Sequence, residues 1–455
     1  MGKQMKKHPD LLANSRMSCR DFSKRRYAQA FRYFCPIAAL SWLTFTSPTA
    51  YAGNDEGIPV GSEASLVAAA VTATTADGSA GYYNPAGLAH MQRNTLDVTA
   101  DVYGFRLVSS EGALSHSTGS AAANGVDWVL IPSAATYTRR FGKVVGSFGI
   151  FVPKTTDVLL RTTLYIENGP TWIATQREEA TDTFYTLSAA WHLSPTVRFG
   201  FSAMGVYTAE VTSVQFSGGQ EGANNEFISL SDLSNTSEYG LAFMAGIQVD
   251  LKHDLTFGAS VRSPSLSLYR ISQTTTISST ALVDAGNLTS NYDQEDSSEK
   301  GFVADVATPP KFRFGLAWQK EPWSVMLDAD ATPSLDRSFL SPRNWLINFK
   351  LGAKYRLSQT FSLGGGLFSD RSASVDRPVN FYGLTLGALY RHELEHDSKS
   401  PVTFGTTVAG RYAYGSGTGA GIEVPNLDPQ EEILEIDSRT RIHELSLVLG
   451  GAVYF

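Results

Sequence analysis

Cysteine is nearly absent from this sequence of 455 residues: the two present, Cys19 and Cys35, both lie within the first 52 residues. Those residues are typical of an export signal, with a basic stretch up to Arg32, an apolar run over 34–45 and small residues at the end. We predict a signal peptide over 1–52. The exported chain would then contain neither a disulfide nor a thiolate metal site.

After residue 52 the sequence also lacks any run of the ~20 apolar residues that a membrane helix needs. Such a chain can span a membrane only as a closed barrel, because hydrocarbon does not tolerate unpaired backbone polar groups. Removal of the predicted signal takes away nine Lys/Arg and two Asp/Glu, which changes the net charge from -7 to -14. So acidic a chain is not expected to bind nucleic acid.

From about residue 94 onward, apolar and polar residues alternate with the period of two that predicts β-strands. In one predicted strand Phe314 and Leu316 share a face, while Lys311 and Arg313 lie on the other. The apolar face would be the core of a soluble sandwich but the lipid-facing surface of a membrane barrel. Alternation fits both folds. Aromatic residues at the strand ends favour the barrel.

Link lengths add to this prediction, because short links alternate with long polar ones along the chain. Long links are expected at 108–125, 161–180, 216–236, 271–308 and 414–438. The final strand alternates and ends in Phe455, which resembles the assembly signal of outer-membrane barrels. We predict an all-β, transmembrane antiparallel β-barrel of about fourteen strands over 94–455.

The segment 53–93 differs from the rest, being rich in alanine and small residues, with a short helix predicted near 62–72. It is too short to fold around a core of its own. The barrel interior is the available place for it to pack. We therefore predict an N-terminal hatch, or plug, in the lumen.

This segment ends in Asp77-Gly78-Ser79-Ala80-Gly81-Tyr82-Tyr83-Asn84-Pro85-Ala86-Gly87-Leu88-Ala89. Here the sequence resembles the FadL/TodX (OmpP1) family of outer-membrane transporters for long-chain fatty acids and other hydrophobic compounds, whose hatch contains an Asn-Pro-Ala element. Further similar stretches are Phe151-Val152-Pro153, Thr308-Pro309-Pro310-Lys311-Phe312 and 364–372. An ordinary turn would explain Asn84-Pro85 equally well when taken alone.

The resemblance implies passive uptake of hydrophobic small molecules, foremost long-chain fatty acids and otherwise aromatic hydrocarbons, through a monomeric outer-membrane protein. Outer-membrane lipid, lipopolysaccharide and the barrel assembly machinery would be its other partners. Asn84, Pro85 and Ala86 are the candidates for a hatch hinge or contact. An adhesive or structural barrel that uses the link 271–308 is the alternative.

The inward-facing cations Arg313, Lys350, Lys354 and Arg411 could hold the head group of an amphiphilic carboxylate. The simpler interpretation is that they pair with wall carboxylates such as Asp328, Asp330 and Glu444. We predict no cofactor, no metal and no enzyme activity. His392-Glu393-Leu394-Glu395-His396 matches a zinc-protease pattern, but that pattern needs a helix, and here the chain is predicted to leave a strand and enter a polar turn.

Overall fold

The computed structural model describes residues 56–220, 226–284, 287–334, 344–372, 377–394, 402–424 and 434–455. The predicted signal peptide lies outside the described residues. Three short helices come first: α1 (Ser62–Leu66), α2 (Ala80–Tyr83) and a 3-10 helix (Pro85–His90). The strands are β1 (Thr95–His116), β2 (Gly119–Phe141), β3 (Val144–Tyr165), β4 (Thr171–Ser194), β5 (Val197–Gln220), β6 (Glu226–Asp250), β7 (Leu255–Arg262), β8 (Ser265–Asp284), β9 (Asn287–Thr308), β10 (Lys311–Lys320), β11 (Trp323–Thr332), β12 (Leu346–Arg356), β13 (Phe361–Asp370), β14 (Val379–Leu394), β15 (Val402–Glu423) and β16 (Leu434–Tyr454).

These strands form one sheet that closes on itself, which confirms the predicted fold class. Neighbouring strands are antiparallel, apart from a short parallel pairing of β1 with β15 at Leu114↔Ile422. The closing seam joins β1 to β16 in a ladder that runs from Thr95↔Tyr454 to Glu111↔Arg439. We call the rim at which β1 begins and β16 ends the basal rim, and the opposite rim the distal rim. The sequence predicts five short links, at 140–143, 192–196, 252–255, 319–322 and 356–360, and all five lie at the basal rim.

The described residues contain 16 strands rather than about fourteen, because two of the strand positions around the ring are each occupied by two shorter strands, β7 with β8 and β9 with β10. The lower part of β6 pairs with β7 and its upper part with β8. In the same way β8 pairs with β9, and β7 with β10. Pro264 interrupts the first position and Pro309-Pro310 the second, since proline has no N–H for the ladder. The ring therefore has fourteen positions.

The predicted long polar links were wrong for most of their length, because these segments are strand. β6, for example, has 25 residues, whereas a membrane strand needs about 9–11. The wall is therefore tall along β15, β16, β1 to β6 and β8–β9, and low along β10 to β13, where strands have 10 or 11 residues. Above a bilayer both faces of a strand can be polar, so the alternating pattern that predicts strands disappears there.

The two faces of the wall decide between a sandwich and a membrane barrel. On β10, Phe314 is 48% and Leu316 43% exposed on the outside, while Lys311 is 6% and Arg313 1% exposed on the inside. Outward-facing apolar residues recur on every side of the ring. A continuous apolar exterior requires apolar surroundings. The charged face is the lumen side, as a membrane barrel requires.

Residues 56–91 lie inside the ring, where the three helices pack against β1, β3 to β6 and β13 to β16. Helix α1 ends at Leu66 instead of continuing to residue 72, because Ala68 and Ala69 adopt positive φ angles of 54° and 59°. The Ala68 N–H is bound by the wall hydroxyl of Thr385 rather than by the helix. Among the described helices none is long and apolar enough to cross a membrane.

Candidate functional site

Asn84 is the centre of the contact between the hatch and the wall. Its side chain is fully buried, and its Nδ2 donates to Thr72 O at 2.8 Å and to Ile247 O of β6 at 3.1 Å. Its Oδ1 accepts from the Ala86 N–H at 3.2 Å and so caps the 3-10 helix that Pro85 begins. These bonds tie the hatch to itself and to the wall through one side chain.

Pairs of glycines on neighbouring strands allow the hatch to approach the wall backbone. Gly200 and Gly246 face each other across β5 and β6 beneath the Asn-Pro-Ala element. A Cβ on Gly246 would lie 2.0 Å from Asn84 Oδ1, and one on Gly200 would lie 2.3 Å from the Pro85 carbonyl carbon. No side chain fits at either position.

The same arrangement recurs at two more places, where the glycine pairs are Gly258↔Gly315 and Gly352↔Gly366. The first pair contacts residues 72–73 and the second contacts residues 67–68. The sequence predicts that the strand glycines at 364–366 allow curvature or a close approach of the hatch. In the structure Gly364 contacts Leu66. We call these three pairs the glycine seats.

A buried cationic cluster holds the start of the hatch. The Glu56 carboxylate forms ion pairs with Arg313, with Lys311 at 2.9 Å and with Lys350 at 3.5 Å. Lys350 also binds Asp330 Oδ2 at 2.7 Å. Burial alone would raise the pKa of Glu56, but the surrounding cations, led by Arg313, hold it well below its usual value. Glu56 is therefore ionised at neutral pH.

The two tyrosines before Asn84 join this cluster. Tyr82 donates its hydroxyl to Glu56 Oε1 at 3.0 Å, and its carbonyl accepts from Arg313 Nη1 at 2.9 Å. The guanidinium also lies 5.1 Å from the ring centroid of Tyr82 and 5.5 Å from that of Tyr83. Stacking of this kind stabilises a cation in a dry site.

Arg411 lies in a separate charged layer rather than in the Glu56 cluster. It binds Glu444 Oε2 at 3.1 Å, and Arg106 Nε binds the other oxygen of the same carboxylate at 2.8 Å. Its guanidinium carbon lies 4.6 Å from the Phe368 ring centroid. Lys354 is elsewhere again, 3.4 Å from Glu63 of α1. The predicted head-group residues thus divide among three sites, and carboxylates pair with all of them.

Apolar side chains line the lumen on the distal side of this charged layer. Along β1, Asp97 at the hatch is followed by Arg106 in the charged layer, then by buried Val108 and, near the distal rim, by buried Leu114. Val108 belongs to one apolar cluster and Leu114 to another. The members of the first are Val108, Ala123, Val158, Leu160, Val379, Phe381, Ala413 and Ile442. Apolar clusters thus lie between the distal rim and the charged layer of Arg411 and Glu444.

The wall has a break between β2 and β3. The two strands pair at Asn124↔Arg161 and again from Ala134↔Phe151 to the turn, with no ladder pair recorded between these positions. In that register Pro132 would stand opposite Pro153. Two facing prolines remove ladder donors from both strands, and proline is excluded from the middle of a sheet. We call residues 128–133 and 152–156 the wall window.

The hatch covers the window from inside. The Ile58 N–H donates to Pro153 O at 2.9 Å, a carbonyl that has no ladder partner because Val152 and Pro153 form a bulge against β4. At the distal end of the break, Asp157 N–H donates to Asp127 Oδ2 at 3.3 Å. One short hatch segment, 56–59, therefore contacts both the cationic cluster and the window.

Two small cavities flank this segment. One, of about 30 Å³, lies by Glu56, Lys350 and Phe368, and the other, of about 40 Å³, lies by the window residues Ile131 and Thr155. Ile58 and Arg411 line both. Each has room for little more than a water molecule, whereas ligand pockets measure roughly 300–1,000 Å³. Neither cavity beside the segment 56–59 can therefore hold an organic ligand in this structure.

His392 lies on strand β14, where the helical spacing of a zinc site does not exist, and Glu395 and His396 lie outside the described residues. Of the glycine seats only Gly366 was anticipated from the sequence. The other seat glycines, Glu56 and the facing positions of Pro132 and Pro153 were missed. A signal existed only for the last, since Pro153 was noted while its partner was not. The glycine seats and the wall window depend on which residues of neighbouring strands lie opposite each other, and the sequence pattern of one strand does not reveal this register.

The geometry defines a class: a closed antiparallel barrel with a lumenal hatch and an interrupted wall. Solved structures share this fold at low identity. A Pseudomonas aeruginosa FadL homologue is 12% identical, with a TM-score of 0.59 over 88% of this chain and 99% of that one. The Pseudomonas putida toluene transporter TodX is 14% identical, with a TM-score of 0.56 over 86% and 98%. The CymD monoaromatic hydrocarbon channel is 12% identical, with a TM-score of 0.52 over 87% and 97%. No protein-family model and no curated protein sequence matches this chain.

Proposed function

We propose that this chain is an outer-membrane channel for the passive uptake of hydrophobic compounds, with long-chain fatty acids as the first choice of substrate and aromatic hydrocarbons as the second. The wall window carries this proposal. A barrel that conducts water-soluble solutes needs an open pore, whereas a break in the wall behind a closed hatch leads sideways into lipid. An apolar solute gains free energy by that route.

The path would begin at the distal rim and continue along the apolar clusters to the charged layer at Arg411 and Glu444. From there the molecule would pass the segment 56–59 and leave between Pro132 and Pro153. The glycine seats hold most of the hatch close to the wall, so the exit needs only this first segment to move. Asn84, Pro85 and Ala86 are proposed to anchor the hatch during that movement.

The chain would act as a monomer that reaches the outer membrane through a signal peptide and the barrel assembly machinery. Uptake of radiolabelled hexadecanoate and toluene by cells with and without the gene tests the proposed transport. We expect faster uptake of one or both when the gene is present. Equal uptake of both compounds in the two strains would refute the proposal.

An adhesive barrel remains the second candidate, favoured by the pair β8–β9. Among the described ladders β9 pairs only with β8, so its other edge is open above the low side of the wall. Phe302 of β9 is 92% exposed. Open strand edges can pair with another chain. Loss of cell adhesion on deletion of the gene, with unchanged uptake, would favour this function.

A further inference from the structure

We propose that Glu56 is a built-in substitute for the carboxylate of an amphiphilic ligand, and that exchange of the two carboxylates opens the wall window. This inference rests on the proposed function and extends it to substrate class and gating. It assigns to the channel a preference for long-chain carboxylates over neutral hydrocarbons.

The first step is the chemistry of the cluster. Glu56 accepts from Arg313, Lys311 and Lys350 and from the Tyr82 hydroxyl, so four donors converge on one carboxylate. Such charge-assisted donors are those that bind any carboxylate strongly. The set comes from two wall strands, β10 and β12, and one hatch helix. It is a complete carboxylate receptor whose present occupant belongs to the chain itself.

The second step is the charge that remains when Glu56 leaves. Arg313 and Lys350 then retain Asp330 as a shared carboxylate, at 4.0 Å and 2.7 Å. Lys311 has an ion pair with Glu56, and its neighbour Arg262 lies opposite it on β7 with Nε buried and unbonded. Unpaired buried cations are costly. Glu56 is therefore expected to leave only when another anion replaces it, which a neutral hydrocarbon cannot do.

The third step is the connection to the window. Only Gly57 separates Glu56 from Ile58, whose N–H binds Pro153 O at the window. The segment 56–59 also separates the two small cavities. Once Glu56 is displaced, the segment can withdraw, the cavities join, and a path leads from the cationic cluster to the window. Binding of the head group and opening of the wall are thus one movement.

The test compares a fatty acid with the alcohol of the same chain length. Binding of tritiated hexadecanoate and hexadecan-1-ol is measured on the purified full chain in detergent micelles. In Glu56→Gln the internal competitor loses its charge, so hexadecanoate affinity should rise about tenfold or more, because apparent affinity scales with the competent fraction. Hexadecanol affinity should change less than about twofold.

Glu63→Gln is the matched control. Glu63 is a second hatch carboxylate with two cationic partners, Lys354 at 3.4 Å and Arg391 at 2.9 Å. It does not line either of the two cavities. This variant should bind both ligands like the wild type. Lys311→Gln should instead weaken hexadecanoate binding several-fold without affecting the alcohol, and it provides a readout if Glu56→Gln does not fold.

Window opening gives a second measurement. The predicted exported chain has no cysteine, so Ile58→Cys is a single label site. A maleimide should label it faster when hexadecanoate is added, and not when hexadecanol is added. Equal responses to acid and alcohol in binding and labelling would overturn the inference while leaving the proposed uptake intact. Failure of the proposed function would instead appear as equal uptake of both compounds by cells with and without the gene.

Discussion

The glycine seat under Asn84 can be tested with one methyl group. In Gly246→Ala the new Cβ would lie 2.0 Å from Asn84 Oδ1, well inside any real contact, so the amide must move by about 1 Å. That shift breaks the bonds of Asn84 to Thr72 O, Ile247 O and the Ala86 N–H. At about 1 kcal/mol each, the seat loses roughly 3 kcal/mol. Protection of the hatch amides against hydrogen exchange should therefore fall about hundredfold.

Gly451→Ala is the control for this experiment. Gly451 is also a strand glycine, but a Cβ there would meet no atom within 4 Å. Heat-modifiable migration on gels shows whether each variant keeps a folded barrel. Hydrogen exchange in detergent micelles then reports on residues 56–94 alone. If Gly246→Ala keeps the protection seen in Gly451→Ala, the hatch does not depend on this seat, and the reasoning from close approach is wrong.

Three further predictions concern the window, the hatch anchor and pH. The double variant Pro132→Val/Pro153→Val restores donors to both strands, so the window should close and uptake of the transported compound should fall severalfold, with a folded barrel. Asn84→Asp replaces the donor Nδ2 by an acceptor that faces two carbonyls, so hydrogen exchange of the hatch amides should become at least tenfold faster. The control Asn94→Asp should leave this exchange rate unchanged. Burial, with help from Arg198, lowers the pKa of His90 from 6.5 to about 4. Between pH 4 and 6.5 the folded hatch therefore binds fewer protons than the unfolded hatch, so the stability of the protein should fall as the pH drops through this range. The melting temperature should fall accordingly. In His90→Gln the contribution of His90 to this fall should be absent.

The fold was predictable because it depends on features that each strand carries alone. Alternation at 311–316 identified the two faces, and the lack of an apolar helix left a closed barrel as the only way across a membrane. The tall part of the wall was not predictable. Polar residues occur on both faces of strands such as the upper half of β6, so these segments have the composition of loops.

The site was predictable only in part. Asn84 stood out through a motif, and the structure gives it a buried anchoring position. Arg313, Lys350 and Arg411 were identified as inward-facing cations, but their carboxylate partners come from distant parts of the chain. Glu56 is an ordinary acidic residue in the sequence. Its position becomes informative only when the hatch is folded back into the ring, and no local pattern records that contact.

The facing prolines Pro132 and Pro153 also bear on how long the proposed opening of the window would last. A strand carbonyl that faces hydrocarbon without a donor costs several kcal/mol. Pro153 O has such a donor only while the Ile58 N–H remains beside it. If the segment withdraws as we propose, this carbonyl loses its donor and the wall has a higher free energy than in the closed arrangement. The opening would then be transient, and the wall would reseal after each molecule has passed.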